Sequence, residues 1–483
     1  MANRAGAQIT RKAFIQSAVI LLAFMLLAGI LTRVVPAGSF DRYQEAGRTL
    51  IDPGSYQRIP KLEYPIWRWF TAPVEVLWGE DSLLIIVITL FVLMVGGAFA
   101  VLERVGIVAS TLGGIVQRYQ DRKYLLLLAV SLFFMALGAF FGIFEEVIPL
   151  VPLAISLSYY LGWDALVGLG MSILATNLGF SAAITNPFTI GVAQELAGLP
   201  LFSGAWFRIP IFLLVYAAFG VFLVRYARKI ERSPESSLVY QEEKNNPHKG
   251  QPLELSQASQ VAPAMGRATA WFAVFLVLIV ATLVGAPFVE FLSEFALPLV
   301  GLSFLVGGVG AGLIASPERK TVWRALWEGV SGIAPGIILI LMAVSIKHIV
   351  VSGGILDTIL NWAADVFQGT NPILSAILIY FIALVIEFFI SSGSAKAFLM
   401  IPILLPLADL VGVTRQVAVT AYCFGDGFTN TIYPTSPVLL IALGLTVVGY
   451  PKWLRWILPL WGVVLLITLA FLALGVAIGY GPF

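Results

Sequence analysis

Residues 142–154 read GIFEEVIPLVPLA, in which two adjacent carboxylates and two prolines interrupt an apolar stretch. A similar run, IPILLPLA, occupies residues 401–408, so Ile148 and Ile401 begin two copies 253 residues apart. Such interruptions are tolerated at membrane depth only where neighbouring protein or water satisfies the freed backbone groups. The two stretches therefore predict a duplicated unit with interrupted helices inside a membrane.

The composition also indicates a membrane protein. Of the 483 residues, 59% are hydrophobic and 12% are charged, whereas a soluble domain is about 45–50% apolar and about 25% charged. This excludes a soluble globule, a disordered chain and a nucleic-acid-binding protein. The net charge of +2 implies no polyanionic partner, and one cysteine with two histidines excludes a disulfide framework and a haem pair. We expect the lipid bilayer as environment and no cofactor, apart from Na⁺ as a possible coupling ion.

Membrane spans follow from the apolar segments, since one span needs about 20 mostly apolar residues. Nine segments meet this requirement: Ala13–Val35, Ser82–Leu102, Asp164–Leu196, Trp206–Arg228, Ala270–Phe291, Leu297–Ala315, Gly332–Val351, Gly412–Gly449 and Leu454–Tyr480. Residues 124–161 and 372–410 are too long for one helix, and polar residues and glycines interrupt each stretch midway. The first span exceeds the apolar core of a signal peptide, about 7–15 residues, so we expect it to be retained.

Lysine and arginine residues set the orientation, because cytoplasmic loops are enriched in them. The basic groups lie on one side only if residues 124–161 enter and leave on the cytoplasmic face. When the membrane crossings are counted in the same way, residues 372–410 enter and leave on the outer face and form a second hairpin. The sequence thus predicts an all-α polytopic membrane protein with nine spans, two opposed re-entrant hairpins and a cytoplasmic N-terminus. Residues 231–267, rich in Ser, Gln, Pro and charge, are predicted to be a flexible cytoplasmic linker.

Further matches between the halves indicate an inverted repeat. Gly106-Ile107 matches Gly354-Ile355, and Gly179-Phe180-Ser181 matches Gly427-Phe428-Thr429. The charge distribution starts the two copies on opposite sides of the membrane. Inverted repeats with interrupted helices are typical of secondary transporters.

Four polar interruptions mark where a binding site can form: the two hairpin tips and the breaks in the spans that follow them. The N-termini of half-helices carry partial positive charge and can bind a carboxylate. Carbonyl oxygens that lack a helical hydrogen bond at a break can bind Na⁺. The predicted substrate-binding residues are Glu145, Glu146, Thr185, Asn186, Pro187, Ser391, Ser392, Gly393, Ser394, Lys396, Asn430, Thr435 and Ser436. The predicted ion-coupling residues are Glu145, Asn186, Ser392, Asp426 and Asn430, with Na⁺ at the junctions of hairpins and breaks.

Each polar candidate also has a structural interpretation. A charge at the bilayer centre costs at least about 2.5–3.5 kcal/mol, so Glu145 or Glu146 either serves the site or forms an ion pair near the surface. Lys396 either binds a substrate carboxylate or pairs with Glu387 or Asp426. The asparagines at the two breaks either bind ligands or cap the broken helix ends.

Six strings carry a resemblance to a known family: Val34–Phe40, Glu145–Pro149, Thr185–Thr189, Ser392–Ser394, Pro406–Val413 and Phe424–Asn430. Over nearly the whole chain the sequence resembles the YfcC-like group of the C4-dicarboxylate anaerobic carrier (DcuC-like) families, within the ion transporter superfamily. The resemblance implies an elevator-type carrier, usually a homodimer, whose transport domain of two hairpins and two broken helices slides along a scaffold. It also implies amino acids, including basic ones, or dicarboxylates as substrates, often with Na⁺.

This resemblance divides the chain into domains. The scaffold comprises residues 1–123, 206–230, 269–370 and 451–483, and the transport domain comprises residues 124–205 and 371–450, with residues 231–268 as the linker. Amphipathic stretches at Val105–Tyr119 and Ile355–Phe367 are expected to lie in the membrane interface as arms between the two domains. Lys347 is expected to extend to the membrane surface.

The sequence predicts a secondary active transporter of small carboxylates, either organic acids or zwitterionic amino acids, in a bacterial inner membrane. We expect coupling to Na⁺ or H⁺, or exchange. Lys396 departs from the family, whose members tend to have an uncharged residue there, and a fixed cation favours an anionic substrate. The main alternative is a basic amino acid antiporter in which Glu145 and Glu146 hold the cationic side chain. A passive channel and a membrane enzyme are remote alternatives, and we expect no enzymatic activity.

Overall fold

The computed structural model describes residues 11–45, 48–79, 82–108, 119–244, 263–285, 288–289, 291–292, 295–365 and 370–481. Within these ranges, ten helices are long and apolar enough to cross a membrane, which confirms the all-α polytopic architecture. Eight of the ten correspond to predicted spans, and the other two, Lys123–Phe141 and Gly393–Leu410, are arms of the predicted hairpins. The ninth predicted span, residues 412–449, is broken into two shorter helices.

The first half of the chain forms ten helices among its described residues. They are α1 (Arg11–Val34), α2 (Arg68–Glu75), α3 (Ser82–Arg104), α4 (Lys123–Phe141), α5 (Val151–Tyr160), α6 (Ala165–Leu169), α7 (Ala175–Ala182), α8 (Val192–Leu196), α9 (Ala205–Arg232) and α10 (Tyr240–Glu243). A 3₁₀ segment, Glu145–Leu150, precedes α5, and π-helical segments at Gly170–Leu174 and Pro187–Gly191 precede α7 and α8.

The second half forms nine helices in the part that the structure describes. They are α11 (Pro263–Gly285), α12 (Ala296–Ala315), α13 (Arg319–Ser352), α14 (Leu356–Asp365), α15 (Pro372–Glu387), α16 (Gly393–Leu410), α17 (Arg415–Gly427), α18 (Pro437–Gly444) and α19 (Tyr450–Ala477). Asn371 caps α15 by accepting a hydrogen bond from the Leu374 amide at 2.9 Å, with a proline in the first turn. This start signal fixes where the second hairpin begins.

The loop after α1 contains four short strands that the sequence analysis did not predict. β1 (Gly38–Ser39) pairs antiparallel with β4 (Gln57–Arg58), and β2 (Arg42–Glu45) pairs antiparallel with β3 (Arg48–Ile51). An ion pair of 2.9 Å between Arg42 and Asp357 joins this region to α14. We call the end of the molecule that holds these strands the β end.

Helix packing separates two groups of helices. The scaffold group, α1–α3 and α11–α13, packs through small residues: a Cβ on Gly329 would lie 2.4 Å from the Gly96 carbonyl oxygen. The hairpin group comprises α4–α9 and α15–α19, and it contains a similar approach of Gly179 to the Met135 carbonyl oxygen. Close backbone approach at glycine is a usual means of helix association in membranes.

Helices α9 and α19, which the sequence assigns to the scaffold, pack against helices of the hairpin group, and their assignment to a domain stays a prediction. They contact each other, and both contact helices of the hairpin group. A Cβ on Gly170, the first residue of the π-helical segment before α7, would lie 2.7 Å from Leu223 of α9 and 3.0 Å from Trp456 of α19. Apolar periodicity identified these spans but does not specify which neighbour a helix face packs against.

The two hairpins enter from opposite ends of α9, as predicted. At the C-terminal end of α9, Tyr124 donates a hydrogen bond to Glu231 at 2.5 Å, and its ring stacks on Trp163 at 5.8 Å, so both ends of the first hairpin lie there. At the N-terminal end, the Tyr480 hydroxyl donates to the carbonyl of Gly204, the residue before α9, at 2.7 Å. Thr414, which follows the second hairpin, donates to the Tyr480 backbone carbonyl at 2.8 Å, so this hairpin ends there. The 28 residues of α9 separate these ends by about 42 Å.

The predicted flexible linker begins later than the sequence suggested. Ser237 donates a hydrogen bond to Asp164 at 2.7 Å, and the buried carboxylate of Glu243 accepts one from the Ala165 amide at 2.8 Å. The polar composition concealed these specific contacts, through which residues 233–243 pack against the start of α6. Residues 245–262 lie outside the described part, as does most of the first predicted arm. The second predicted arm is helical, as α14, and its role as an arm between the two domains stays a prediction.

Candidate functional site

The tip of the first hairpin packs directly on the break that follows it. Gly142 ends α4 with φ +69°, and a Cβ there would lie 2.2 Å from the side-chain oxygen of Asn186. Only glycine combines this backbone conformation with so close an approach. The chain then enters the 3₁₀ segment with Glu145 and Glu146, which are both partly exposed.

The first break is held by its own polar side chains. Its helix ends at Ala183 in the left-handed conformation, with φ 46°. The Asn186 side chain then accepts hydrogen bonds from the amides of Phe188 at 2.9 Å and Thr189 at 3.3 Å. The Thr185 hydroxyl bonds the Phe140 carbonyl at 3.0 Å. Of its two predicted roles, Asn186 therefore has the capping role in the structure, and its side chain is fully buried.

The tip of the second hairpin reaches across to the first break. Ser392 caps α16 by accepting a hydrogen bond from the Ala395 amide at 3.4 Å. Ser394 donates to the Phe188 carbonyl at 3.0 Å, and Tyr422 of α17 donates to the Gly393 carbonyl at 2.5 Å. The two halves of the repeat thus meet at this tip.

Lys396 pairs with two carboxylates and has no exposed surface. Its ammonium nitrogen lies 2.8 Å from Asp426 Oδ1 and also forms an ion pair with Glu387. The side chains of the three residues are at most 1% exposed. The sequence left two roles open for Lys396, binding of a substrate carboxylate and pairing with Glu387 or Asp426. In the structure Lys396 is paired with both acidic residues.

The second break is tied to the first by an asparagine that the sequence analysis missed. Asn177 donates to the Gly427 carbonyl at 2.9 Å and accepts from the Thr431 hydroxyl at 3.0 Å. An amide in the middle of an apolar span was the available signal. Asn430 donates to the Asp426 carbonyl at 3.3 Å, and Ser436 caps α18 by accepting from Leu439 at 3.5 Å.

A cavity of about 180 Å³ lies between the scaffold group and the hairpin group. From the hairpin group it is lined by Glu145, Ser391, Ser392 and Thr435, and from the scaffold group by Ile85, Phe91 and Lys347 among others. The other predicted substrate residues do not line it, namely Glu146, Thr185, Asn186, Pro187, Gly393, Ser394, Lys396, Asn430 and Ser436. Substrate contact by those residues stays a prediction.

Lys347 is the charged residue of this cavity that the sequence analysis placed elsewhere. We expected it to extend to the membrane surface, but it lines the cavity from α13. The rotation of a helix about its axis decides this direction, and apolar length does not reveal the rotation. The cavity is therefore lined by an acidic residue from one group of helices, Glu145, and by a basic residue from the other, Lys347.

The ion-coupling residues are dispersed in the structure. Glu145 and Ser392 line the cavity, whereas Asp426 is paired with Lys396, and the two asparagines are buried at the breaks. Among the described residues, no group of three or more His, Cys, Asp or Glu side chains can hold a metal ion. Carbonyl and hydroxyl oxygens at the hairpin–break junctions are a donor set that suits Na⁺, so a Na⁺ site there stays a prediction.

Comparisons with known proteins agree with the expected resemblance. The chain is 30% identical over 473 residues to the Escherichia coli K12 protein named "Putative basic amino acid antiporter YfcC", covering 90% of this chain and 91% of that protein. It is 26% identical over 434 residues to an uncharacterized protein of Haemophilus influenzae, covering 88% and 81% of the two chains.

Two solved structures are similar over most of their length. The Alcanivorax borkumensis YdaH transporter has a TM-score of 0.41 and 18% identity, covering 96% of this chain and all of that one. Neisseria gonorrhoeae MtrF, described as one of a class of antimetabolite efflux pumps, also has a TM-score of 0.41 and 18% identity, covering 95% and 94%. The family model for C4-dicarboxylate anaerobic carriers matches residues 14–477. The chain thus belongs to the DcuC family and is a multi-pass membrane carrier.

Proposed function

We propose that the protein is a secondary active transporter of small carboxylates and that zwitterionic amino acids are the class its cavity fits best. The supporting observation is that Glu145 and Lys347 line one cavity from two different groups of helices. A zwitterion carries one positive and one negative group, and opposite charges on opposite walls match both of them. A simple organic acid would leave the carboxylate of Glu145 without a partner in the substrate.

The two ends of such a substrate have distinct partners. Glu145 binds the ammonium group through a charge-assisted hydrogen bond. Lys347 binds the carboxylate, together with the hydroxyls of Ser391 and Ser392 at the start of α16. The N-terminus of α16 adds partial positive charge on the same side.

The placement of the cavity is consistent with an elevator mechanism. The hairpin group carries Glu145 and both tips, whereas the scaffold group carries Lys347. When the hairpin group slides, the substrate keeps its contact with Glu145 and loses its contact with Lys347. We further propose that the scaffold forms a homodimer, that the protein lies in a bacterial inner membrane with a cytoplasmic N-terminus, and that Na⁺, H⁺ or exchange drives the transport.

One observation favours a basic amino acid antiporter as a second candidate. Lys396 is neutralised by Glu387 and Asp426, so its charge no longer opposes a cationic side chain. Glu146 is partly exposed beside Glu145 and supplies a second carboxylate. The name of the similar E. coli protein points to the same class.

Counterflow into proteoliposomes tests the proposal. Vesicles preloaded with unlabelled alanine, arginine, ornithine or succinate are assayed for uptake of the same labelled compound. We expect alanine-like zwitterions to give saturable counterflow and succinate to give none. Counterflow of arginine and ornithine alone would establish the second candidate, and counterflow of none of the four would contradict both.

Matched variants identify the cavity as the site. We expect Glu145→Gln and Lys347→Gln each to raise the half-saturating concentration at least tenfold, since each removes one charged partner. The controls are Glu242→Gln and Lys452→Gln, which break an ion pair of 2.6 Å outside the cavity. Equal effects of the cavity variants and the control variants would show that the cavity does not bind the substrate.

A further inference from the structure

The strongest unexplained feature outside the cavity is the group of Glu387, Lys396 and Asp426, which we call the buried triad. Glu387 is the last residue of α15, Lys396 lies in the first turn of α16, and Asp426 lies near the end of α17. Three separate helices thus bring two carboxylates to one ammonium, with side chains at most 1% exposed. When all three are ionised, the triad has a net charge of −1.

The surroundings of Asp426 add further positive character. A Cβ on Gly393, the first residue of α16, would lie 2.9 Å from one carboxylate oxygen of Asp426 and 3.0 Å from the other. The carboxylate therefore lies beside the N-terminus of α16, which carries about half a positive charge. Lys396 and this helix end together offset most of the charge of the two acids.

Removing the ammonium from this arrangement would leave a cation-binding site. Two buried carboxylates beside a hairpin tip cannot both stay ionised without a counter-charge. Oxygen ligands at a broken helix inside a transporter are the usual partners of a monovalent cation. In this chain the position of that cation is filled by a side chain that cannot dissociate.

We propose that Lys396 is a tethered counter-cation that takes the place of a free cation between Glu387 and Asp426, so that transport requires no Na⁺. The part that concerns transport rests on the proposed function, whereas the part that concerns ion binding does not. A hairpin in which a side chain already offsets most of the internal charge has no need to bind an ion before it moves. Coupling then comes from exchange or from H⁺.

Thermal unfolding in detergent tests ion binding without any substrate. We expect replacement of 150 mM choline chloride by NaCl to shift the midpoint of the wild-type protein by less than about 1 °C. Lys396→Gln has two uncompensated carboxylates, and we expect Na⁺ or Li⁺ to raise its midpoint by several degrees, because a ligand that binds only the folded state stabilises it. The double variant Glu387→Gln with Lys396→Gln restores the net charge of −1 and is expected to lose this response.

Several outcomes would overturn the inference. Stabilisation of the wild-type protein by Na⁺ over choline would show that a free cation binds despite Lys396. A folded Lys396→Gln protein with no response to Na⁺ or Li⁺ would show that the carboxylates form no cation site. If Lys396→Gln does not fold, the wild-type protein and the double variant still test the inference. A rise of the unfolding midpoint of either protein in Na⁺ would contradict it.

Counterflow supplies the second measurement. We expect the wild-type rate to stay within twofold when N-methylglucamine replaces Na⁺ on both sides of the membrane. The rate of Lys396→Gln is expected to fall at least tenfold in N-methylglucamine and to recover in part with Na⁺. A tenfold fall of the wild-type rate without Na⁺ would overturn the inference. Absence of counterflow under every condition would contradict the proposed function and leave the unfolding experiment to test the triad.

Discussion

The two hairpin tips are related by the internal repeat but place their charged side chains differently. The first tip contributes Glu145 to the cavity, which Lys347 of the scaffold group also lines. The second tip presents the hydroxyls of Ser391 and Ser392, and its one basic residue, Lys396, is paired inside the protein. In the proposed function, one tip of the repeated fold would bind a charged group and the other would bind through hydroxyls and a helix end.

The largest expected effect concerns the buried triad. Lys396→Gln leaves two carboxylates without their ammonium, and breaking such a pair from one side typically costs about 3–5 kcal/mol. The free energy of unfolding in choline buffer, measured by chemical denaturation in detergent, is expected to fall by this amount. The double variant with Glu387→Gln is expected to recover part of the loss. An unchanged stability of the single variant would mean that the triad does not compensate charge in the folded protein.

The contact between the first tip and its break gives the next effect. In Gly142→Ala the left-handed backbone alone costs about 1–3 kcal/mol, and the new methyl group clashes with Asn186. Gly162→Ala is the matched control, because Gly162 has φ +87° and its Cβ would meet nothing within 4 Å. We expect the midpoint of thermal unfolding to fall further for Gly142→Ala. Equal losses would show that the tip does not need to contact the break.

A third prediction compares the two tips as ligand-binding groups. Glu145→Gln removes a charged partner, and its effect on the half-saturating concentration in counterflow is expected to be at least tenfold. Ser391→Ala removes one neutral hydroxyl, for which about 1 kcal/mol, or roughly fivefold, is the usual effect. A larger effect of Ser391→Ala would reverse the assignment of roles to the two tips.

Glu75, which lies on the short helix α2 outside the spans, provides a comparison for the triad and the smallest expected effect. Glu75 is partly desolvated, which alone would raise its pKa, but hydrogen bonds from Arg68, Thr71 and His348 outweigh this and lower the pKa from 4.5 to about 2. Because the pKa is lower in the folded state, the carboxylate stabilises the fold above pH 4.5, and this contribution is lost as the pH falls through about 2. We expect Glu75→Gln to cost on the order of 1–2 kcal/mol at pH 7, allowing for solvent screening.

The pH dependence of that difference is the decisive measurement. The stability gap between the wild-type protein and Glu75→Gln, measured by denaturation, is expected to be constant between pH 8 and pH 5.5 and to narrow below about pH 4.5. Arg68 is 35% exposed and Glu75 is 19% exposed in their side chains, so added salt is expected to weaken this pair more than the buried triad. A gap that widens on acidification would contradict the assigned pKa direction.

The sequence predicted the architecture well because the bilayer imposes local constraints. The predicted span Trp206–Arg228 is α9 at Ala205–Arg232, and the break predicted at Thr185–Thr189 directly follows the helix that ends at Ala183. Apolar length and interrupting glycines or prolines are properties of consecutive residues, so they can be read without a structure. The short strands and the packed residues 233–243 escaped prediction because their stability depends on partners distant in the chain.

The roles of individual charges depended on the tertiary structure. The sequence by itself determined a duplicated, multi-pass membrane protein with two hairpins and two broken spans. Hydropathy shows which segments lie in the membrane, and the distribution of basic residues and the repeat spacing show the direction in which each segment crosses it. Only the tertiary structure decided that Lys396 faces Glu387 and Asp426, that Lys347 lines the cavity and that α9 and α19 pack against helices of the hairpin group. The physical reason is that a side chain's partner depends on the rotation and contacts of whole helices, which no local pattern specifies.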